Sequence, residues 1–286
     1  MSVRGVIVAA GYGTRFLPVT RVVPKELLPI VDRPALDFVV QEFIEAGITE
    51  IVVITSRRKR ALEDWFDRDP ELEAVFAAEG AEDKLARVRP PQVSVTFVRQ
   101  AEMRGTGHAL LQARPYVGDH PFVVAYPDDL FGPPNCTRQL IEAHHQTGGC
   151  VLSALALPDD EDPSRYGVLE VRPHASGHWQ VGALVEKPPP GQAPSRVVSL
   201  GRYLFTPALW PALEDGLTRH RGGEYYHVPA VNALAARGEV FARAVDGHRY
   251  DTGTPLGYLQ TVVDAALDDP RLGAAFQSWL HRRLDR

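Results

Sequence analysis

GVIVAAGYGTRFLPVTRVVPKELLP, residues 5–29, sets a short β-branched apolar run directly before a glycine-rich loop and then supplies Arg15, Arg21 and Lys25 among prolines. An apolar run such as GVIVAA (5–10), with no polar alternation, reads as a strand buried on both faces. Glycines after such a strand, here Gly11 and Gly13, let backbone N–H groups close on phosphate oxygens where a Cβ would stand in the way. The stretch matches neither common phosphate loop. Phe16 stands where a dinucleotide fingerprint has its third glycine, and no Gly-Lys-Ser/Thr follows. A bare GxG also fits a plain tight turn. What separates the two readings is the sequel, Arg15 and Lys25 on a chain stiffened by Pro18, Pro24 and Pro29.

Working outward, the runs EIVVITS (50–56), VSVTFV (93–98) and PFVVAY (121–126) repeat the buried-strand pattern, with helical segments at 34–46, 58–79 and 105–114 between them. Strand alternating with helix predicts an α/β fold with a Rossmann-like, doubly wound, mostly parallel sheet, whose ligands sit at the carboxyl ends of the strands. After residue 150 the strands crowd together in CVLSALAL, YGVLEVRP, HWQVGALVEKP and VVSLGRYLF, which predicts a mixed-sheet extension. The tail, 255–284, reads as helical. Leu256, Leu259, Val262, Val263 and Leu267 form one apolar stripe, and a last helix carrying Phe276, Trp279 and Leu280 is expected to dock on the core or on another subunit.

Charge narrows the partners. With 31 basic and 36 acidic residues and a formal charge of -5, the chain has no global basic footprint for nucleic acid or an acidic membrane, so an anion must be met by a local cluster. The two cysteines, Cys136 and Cys150, form no CxxC and fit a reducing compartment without a zinc site. No run approaches the roughly 18–20 apolar residues of a membrane span, and the first residues lack the apolar region of a signal peptide, so the expected location is the cytoplasm. Lysine occurs only at Lys25, Lys59, Lys84 and Lys187; the other 27 of the 31 basic residues are arginine. Lys59 and Lys84 read as members of solvated helix faces. Lys25 and Lys187 stand in tight turns, where a compact ammonium differs chemically from a planar guanidinium.

Four further places carry chemistry. Asp128-Asp129, after the fourth buried run, could hold Mg²⁺ as a hard-oxygen pair or simply cap a turn. Glu186-Lys187 offers a carboxylate for sugar hydroxyls and an ammonium for phosphate; a weak surface ion pair is the plainer reading. Asp251, in HRYDTGTPLGY, precedes a helix start that it could cap. In VRQAEMRGTGHAL, Gln100 offers a donor and an acceptor to a base edge, Gly105 and Gly107 allow a planar ring to come close, and His108 reads as structural at a helix start.

Taken in order, AAGYGTRFLP, PKELLPIVDRP, RQAEMRGTGHAL, YPDDLF, YGVLEV, VEKP, GRYLF and YDTGTPLGY resemble the sugar-phosphate nucleotidyltransferases, and among them the uridylyl branch, over nearly the whole chain. The resemblance implies that UTP and glucose 1-phosphate give a nucleotide sugar and pyrophosphate, with dTTP, CTP or another sugar 1-phosphate as alternatives and a non-catalytic nucleotide-sugar-binding regulator as a further one. It implies nucleotide binding by Ala10, Gly11, Gly13, Thr14, Arg15, Lys25, Gln100 and Gly105. It further implies sugar-phosphate binding by Gly167, Glu186, Lys187 and Gly201, Mg²⁺ on Asp128 and Asp251, and catalytic charge from Arg15, Lys25 and Lys187. The corresponding organisation is one domain over 1–268, its nucleotide part about 1–150 and its sugar-phosphate part about 151–268, then a C-terminal helix over 269–286 as a possible interface of a homo-oligomer, dimer or tetramer. The chain departs from the family pattern at Arg21, where a lysine is usual, and in GGEYYHVPAV (222–231), where Tyr225, Tyr226 and His227 are expected to reshape the acceptor pocket.

Overall fold

The computed structural model describes residues 2–284. In chain order its strands are β1 (Arg4–Val8), β2 (Pro29–Ile30), β3 (Arg33–Pro34), β4 (Glu50–Thr55), β5 (Ser94–Arg99), β6 (Phe122–Ala125), β7 (Asp129–Phe131), β8 (Cys150–Ala156), β9 (Gly167–Pro173), β10 (Trp179–Glu186), β11 (Val197–Phe205), β12 (Val240–Ala244) and β13 (Arg249–Asp251). Its helices are α1 (Ala35–Glu45), α2 (Ala61–Phe66), α3 (Pro70–Ala78), α4 (Glu82–Val88), α5 (Thr106–Val117), α6 (Cys136–Thr147), α7 (Leu209–Arg219), α8 (Val228–Ala235), α9 (Pro255–Asp268) and α10 (Gly273–Leu284).

Nine strands form one sheet in the order β5-β4-β1-β6-β11-β8-β12-β10-β9. β5, β4, β1 and β6 are parallel, with Val6 opposite Val52 on one side and Val124 on the other. This is the doubly wound half that the buried runs predict. β11 then runs antiparallel to both β6 and β8, so the mixed extension continues the same sheet. Successive residues point to opposite faces. Val6, Ile54, Val124 and Phe205 pack with Leu110, Trp210 and Val231 of α5, α7 and α8. Ile7, Val53, Val123 and Leu204 pack with Leu36, Val40, Phe43 and Leu140 of α1 and α6. Each such side chain contributes roughly 1.5–3 kcal/mol by leaving water, and Phe122 adds a parallel stack on Trp210 with centroids 4.5 Å apart.

Two local expectations are corrected. The segment 58–79 is two helices, because Pro70 disfavours helix at the residue before it and Asp69 accepts the Leu72 N–H at 3.0 Å as the N-cap of α3. Lys59 is no solvated lysine: it is 5% exposed and its Nζ lies 2.7 and 2.8 Å from the two carboxylate oxygens of buried Glu26. Burial pushes the Lys59 ammonium down from its ordinary pKa, and Glu26 opposes that. On α9 the apolar stripe starts at the surface, with Leu256 and Leu259 exposed, while Thr261 and Ala266 are buried. Asp285 and Arg286 of the expected 269–286 segment lie outside the described residues.

Candidate active site

The carboxyl ends of β1, β5 and β6 converge on a cleft of about 320 Å³ lined by Ala10, Gly11, Gly13, Thr14, Lys25, Gln100, Gly105 and Asp128, eight of the residues singled out from sequence. After β1 the chain makes short 3-10 turns at Thr14–Phe16, Val19–Arg21 and Lys25–Leu27. Gly13 opens the first of them at φ 67°, a left-handed conformation that costs glycine little, and Thr20 Oγ1 donates to its carbonyl at 2.8 Å. A Cβ at Gly11 would meet no protein atom within 4 Å, so that side of the loop is open toward the cleft. Below the loop, the buried Glu26–Lys59 pair anchors the turn that carries Lys25. Arg21 is exposed.

Arg15 and Lys25 meet the acids. Lys25 Nζ pairs with Asp128 Oδ2, and Arg15 Nη1 donates to the Gly253 carbonyl at 3.1 Å. Burial raises the Asp128 pKa, but Lys25 and, further down, Arg15 outweigh it and hold the carboxyl below its ordinary value. Asp251 comes alongside because β13 pairs with β7, placing Asp251 opposite Asp129, and Thr252 N–H donates to the Asp128 carbonyl at 2.9 Å. A Cβ on Gly253 would stand 3.0 Å from Asp128 Oδ2 and 3.1 Å from Asp251 Oδ1. The two carboxylates therefore flank a gap that exists because residue 253 has no side chain. Among the described residues no three His, Cys, Asp or Glu side chains converge as a metal cage. Two carboxylates beside a glycine loop suit Mg²⁺, which keeps waters and takes phosphate oxygens, whereas zinc would want a fuller set of protein ligands.

The Asp128-Asp129 pair thus splits its roles. Asp129 is buried, accepting from Gly201 N–H and Arg249 Nε, each at 2.6 Å. Burial raises its pKa even against Arg249. A Cβ at Gly201 would fall 2.3 Å from Asp129 Oδ2, so glycine is required there by a carboxylate of the protein itself, and the Gly201 N–H is already spent. The assignment of Gly201 to the sugar phosphate has no free donor behind it.

The other predicted acceptor residues do gather. Gly167 pairs with Glu186 across β9 and β10, a Cβ at Gly167 would lie 3.0 Å from Glu186 Oε2, and Lys187 Nζ is 3.8 Å from Glu186 Oε1. Lys187 is 65% exposed and takes φ 44°, a left-handed conformation that costs a non-glycine residue about 1–3 kcal/mol and recurs at functional sites. This cluster and the glycine-loop cleft flank Tyr126, whose hydroxyl is pushed well above its ordinary pKa by burial, with Asp128 and Glu186 both adding to the effect.

At the residues expected to read a base, Gln100 is 4% exposed and its amide Nε2 lies 3.1 Å from both the Gly105 carbonyl and His108 Nδ1. His108 therefore orients Gln100. The planar ring that comes close to this loop is the protein's own: a Cβ at Gly107 would lie 2.7 Å from the Tyr225 ring, and one at Gly105 2.5 Å from the Tyr225 carbonyl. Gly107 N–H donates to that carbonyl at 2.9 Å, and Tyr225 N–H donates to the Arg104 carbonyl at 2.7 Å. This corrects the reading of segment 222–231. Tyr225 (1% exposed) and His227 (8%) are packing residues, and burial drives His227 down to a pKa of about 4. Tyr226 alone of the three is exposed, hydrogen-bonding Glu224 Oε2 at 2.8 Å and feeling the Glu186 charge. Glu224, Met103, Thr106 and Tyr126 also line the cleft and were not singled out from sequence. All four lie within stretches the sequence marks, Met103 and Thr106 in VRQAEMRGTGHAL, Tyr126 at the end of PFVVAY and Glu224 in the departing segment.

A parallel strand ending in a glycine loop, with two cations and two acids beside it, suits a phosphate-bearing ligand at the carboxyl end of the sheet. The chain belongs to the family described as nucleotidyl transferase, which it matches over residues 4–266. The UTP–glucose-1-phosphate uridylyltransferase of Bacillus subtilis is 39% identical over 272 residues, covering 94% of this chain and 92% of that one. The enzyme of the same name from Staphylococcus epidermidis is 36% identical over 285 residues, covering 99% and 98%. Among solved structures, a UTP-bound UGPase from Acinetobacter baumannii superposes with a TM-score of 0.88 at 33% identity, covering 98% of this chain and 99% of that one. A UDP-glucose pyrophosphorylase complexed with UDP-glucose gives 0.79 at 32% identity, covering 92% and 97%.

Proposed function

We propose that this chain transfers the uridylyl group of UTP to glucose 1-phosphate, giving UDP-glucose and pyrophosphate. The observation that carries the reading is the placement of one open cleft, with the glycine loop, Lys25, Asp128 and Gln100 on its walls, beside the Gly167–Glu186–Lys187 cluster. In the reaction a phosphate oxygen of the sugar bonds to the α-phosphorus, the bond from that phosphorus to the bridging oxygen breaks, and pyrophosphate leaves with the electron pair. The nucleophile is ionised at neutral pH, so no side chain has to remove a proton. What the protein must overcome is repulsion between two anions, and positioned charge does this. The loop N–H groups with Arg15 and Lys25 hold the triphosphate, Gln100 and Gly105 face the base, and Lys187 with Glu186 orients the acceptor. Asp128 and Asp251 would hold Mg²⁺, which when bound neutralises phosphate charge.

Glucose as the acceptor rests on the relatives' names, and exposed Tyr226 between Glu224 and Glu186 favours testing other hexose 1-phosphates beside it. Among the described residues no helix is long and apolar enough to cross a membrane, and Cys136 and Cys150 are both free thiols; we place the activity in the cytoplasm. Exposed Leu256, Leu259, Trp279 and Leu284 on α9 and α10 support self-association. The test of function is a matrix of nucleoside triphosphates against sugar 1-phosphates with Mg²⁺. Pyrophosphate should appear with UTP plus glucose 1-phosphate, and the absence of turnover with every pair in the matrix would refute the assignment.

A further inference from the structure

A chain with a formal charge of -5 nevertheless gathers Arg219, His220, Arg221 and Arg237 around one cleft of about 480 Å³ beside α7 and α8, where Asp215 is the only carboxylate among the described lining residues. The cations are incompletely neutralised. Arg219 Nη2 is 3.4 Å from Asp215 Oδ2, with both side chains more than 70% exposed, a pair of little energetic weight. Arg221 has no carboxylate partner among the described residues, and its Nη1 donates to the backbone carbonyls of Thr218 and His220 at 3.0 and 3.5 Å. Arg237 alone is chelated, by Glu239 at 2.9 and 3.1 Å. Guanidinium groups arranged this way suit the oxygens of a phosphate.

The wall of this cleft is Tyr225. Its ring centroid lies 5.4 Å from that of His220, and its hydroxyl donates to the Leu213 carbonyl of α7 at 2.9 Å. The backbone of the same residue is bonded to Arg104 and Gly107, at the edge of the nucleotide cleft that its neighbour Glu224 lines. One short segment therefore has a face on each cleft. We propose that the cleft beside α7 and α8 binds a small phosphate-bearing anion, and that its occupancy is coupled through Tyr225 to nucleotide affinity. Coupling between two sites is reciprocal, so an anion that shifts UTP binding is itself bound differently when UTP is present.

Binding is tested without turnover; the UTP that keeps phosphate out of the glycine-loop cleft and the coupling readout rest on the proposed function, whereas the difference between wild type and the arginine variants does not. Inorganic phosphate is titrated calorimetrically into protein saturated with UTP, comparing wild type, the double variant Arg219→Ala/Arg221→Ala, and Arg221→Lys. Because these side chains are exposed, the variants should melt with the wild type, and their basal turnover should be unchanged. The double variant should bind phosphate about a hundredfold more weakly, roughly tenfold for each lost charge-assisted contact, with Arg221→Lys recovering most of the affinity. Saturating phosphate should shift the wild-type KM for UTP by about fivefold or more, and leave that of the double variant unmoved. Isotherms identical in wild type and double variant would overturn the site. Binding lost in the variant with no KM shift in the wild type would overturn the coupling.

Discussion

Asp128 and Asp129 are adjacent, chemically identical and predicted to fail in opposite ways. Truncating Asp129 to alanine leaves Arg249, three-quarters buried, without its carboxylate and leaves the Gly201 N–H without its acceptor. Breaking one side of such a pair costs about 3–5 kcal/mol, and an orphaned buried N–H adds roughly 1–3 kcal/mol. Stabilities of whole domains are only about 5–15 kcal/mol, so Asp129→Ala should lose much of its resistance to urea or fail to accumulate folded. Asp128 is more exposed than Asp129, 26% against 10%, and Lys25 carries its charge on a flexible stem at the wall of an open cleft. Asp128→Ala should therefore unfold within about 1 kcal/mol of wild type, yet release pyrophosphate roughly a hundred- to a thousand-fold more slowly, the range for losing one group positioned at a transferring phosphate. The assay pairs urea unfolding with pyrophosphate release on the same preparations. Equal destabilisation of the two variants, or a stable and slow Asp129→Ala beside a fully active Asp128→Ala, would refute this division of roles.

Other outcomes follow from the same geometry. Lys187→Ala should lower kcat roughly a hundred- to a thousand-fold while leaving UTP binding by calorimetry nearly unchanged, because its ammonium acts on the acceptor phosphate. Gly105→Ala would drive a Cβ to within 2.5 Å of the Tyr225 carbonyl at a backbone φ of 92° and should raise the Kd for UTP at least tenfold, measured by calorimetry. His227, ordinarily near pKa 6.5 and held near 4 by burial, is protonated more readily in the unfolded chain. Its neutral form thus contributes stability that is complete above about pH 6.5 and is lost as pH falls toward 4, on the order of 3 kcal/mol in all. Denaturant titrations of wild type and His227→Gln across that window should show the wild type losing the extra stability. Replacing Leu256 and Leu259 by serine should lower the mass seen by light scattering if α9 holds an assembly together.

The opening stretch carried much of the fold because its features are local: an apolar strand followed by loop glycines and cations dictates a parallel strand ending in a glycine loop flanked by Arg15 and Lys25. The residues of the cleft that came from sequence, Lys25 and Gln100 among them, were legible for the same reason, since residue type and spacing near a strand end suffice. What stayed hidden depends on partners far along the chain. Glu26 and Lys59 are 33 residues apart, and nothing local marks either as buried. Asp129 looked like half of a metal pair until Arg249, 120 residues away, occupied it. Gly105 and Gly107 announced a close approach correctly, but not that Tyr225 would be what approaches. The sheet showed a similar limit: β11, late in sequence, enters between β6 and β8, so two patterns that look like separate regions share one sheet.

The central claim is that the glycine loop holds a triphosphate whose α-phosphorus is attacked by a sugar phosphate. The most direct measurement is pyrophosphate release from UTP, with and without glucose 1-phosphate, in the presence of Mg²⁺ and after its removal by chelation. Release should occur only when both substrates and the metal ion are present. Release from UTP alone, or rates indifferent to glucose 1-phosphate, would contradict it.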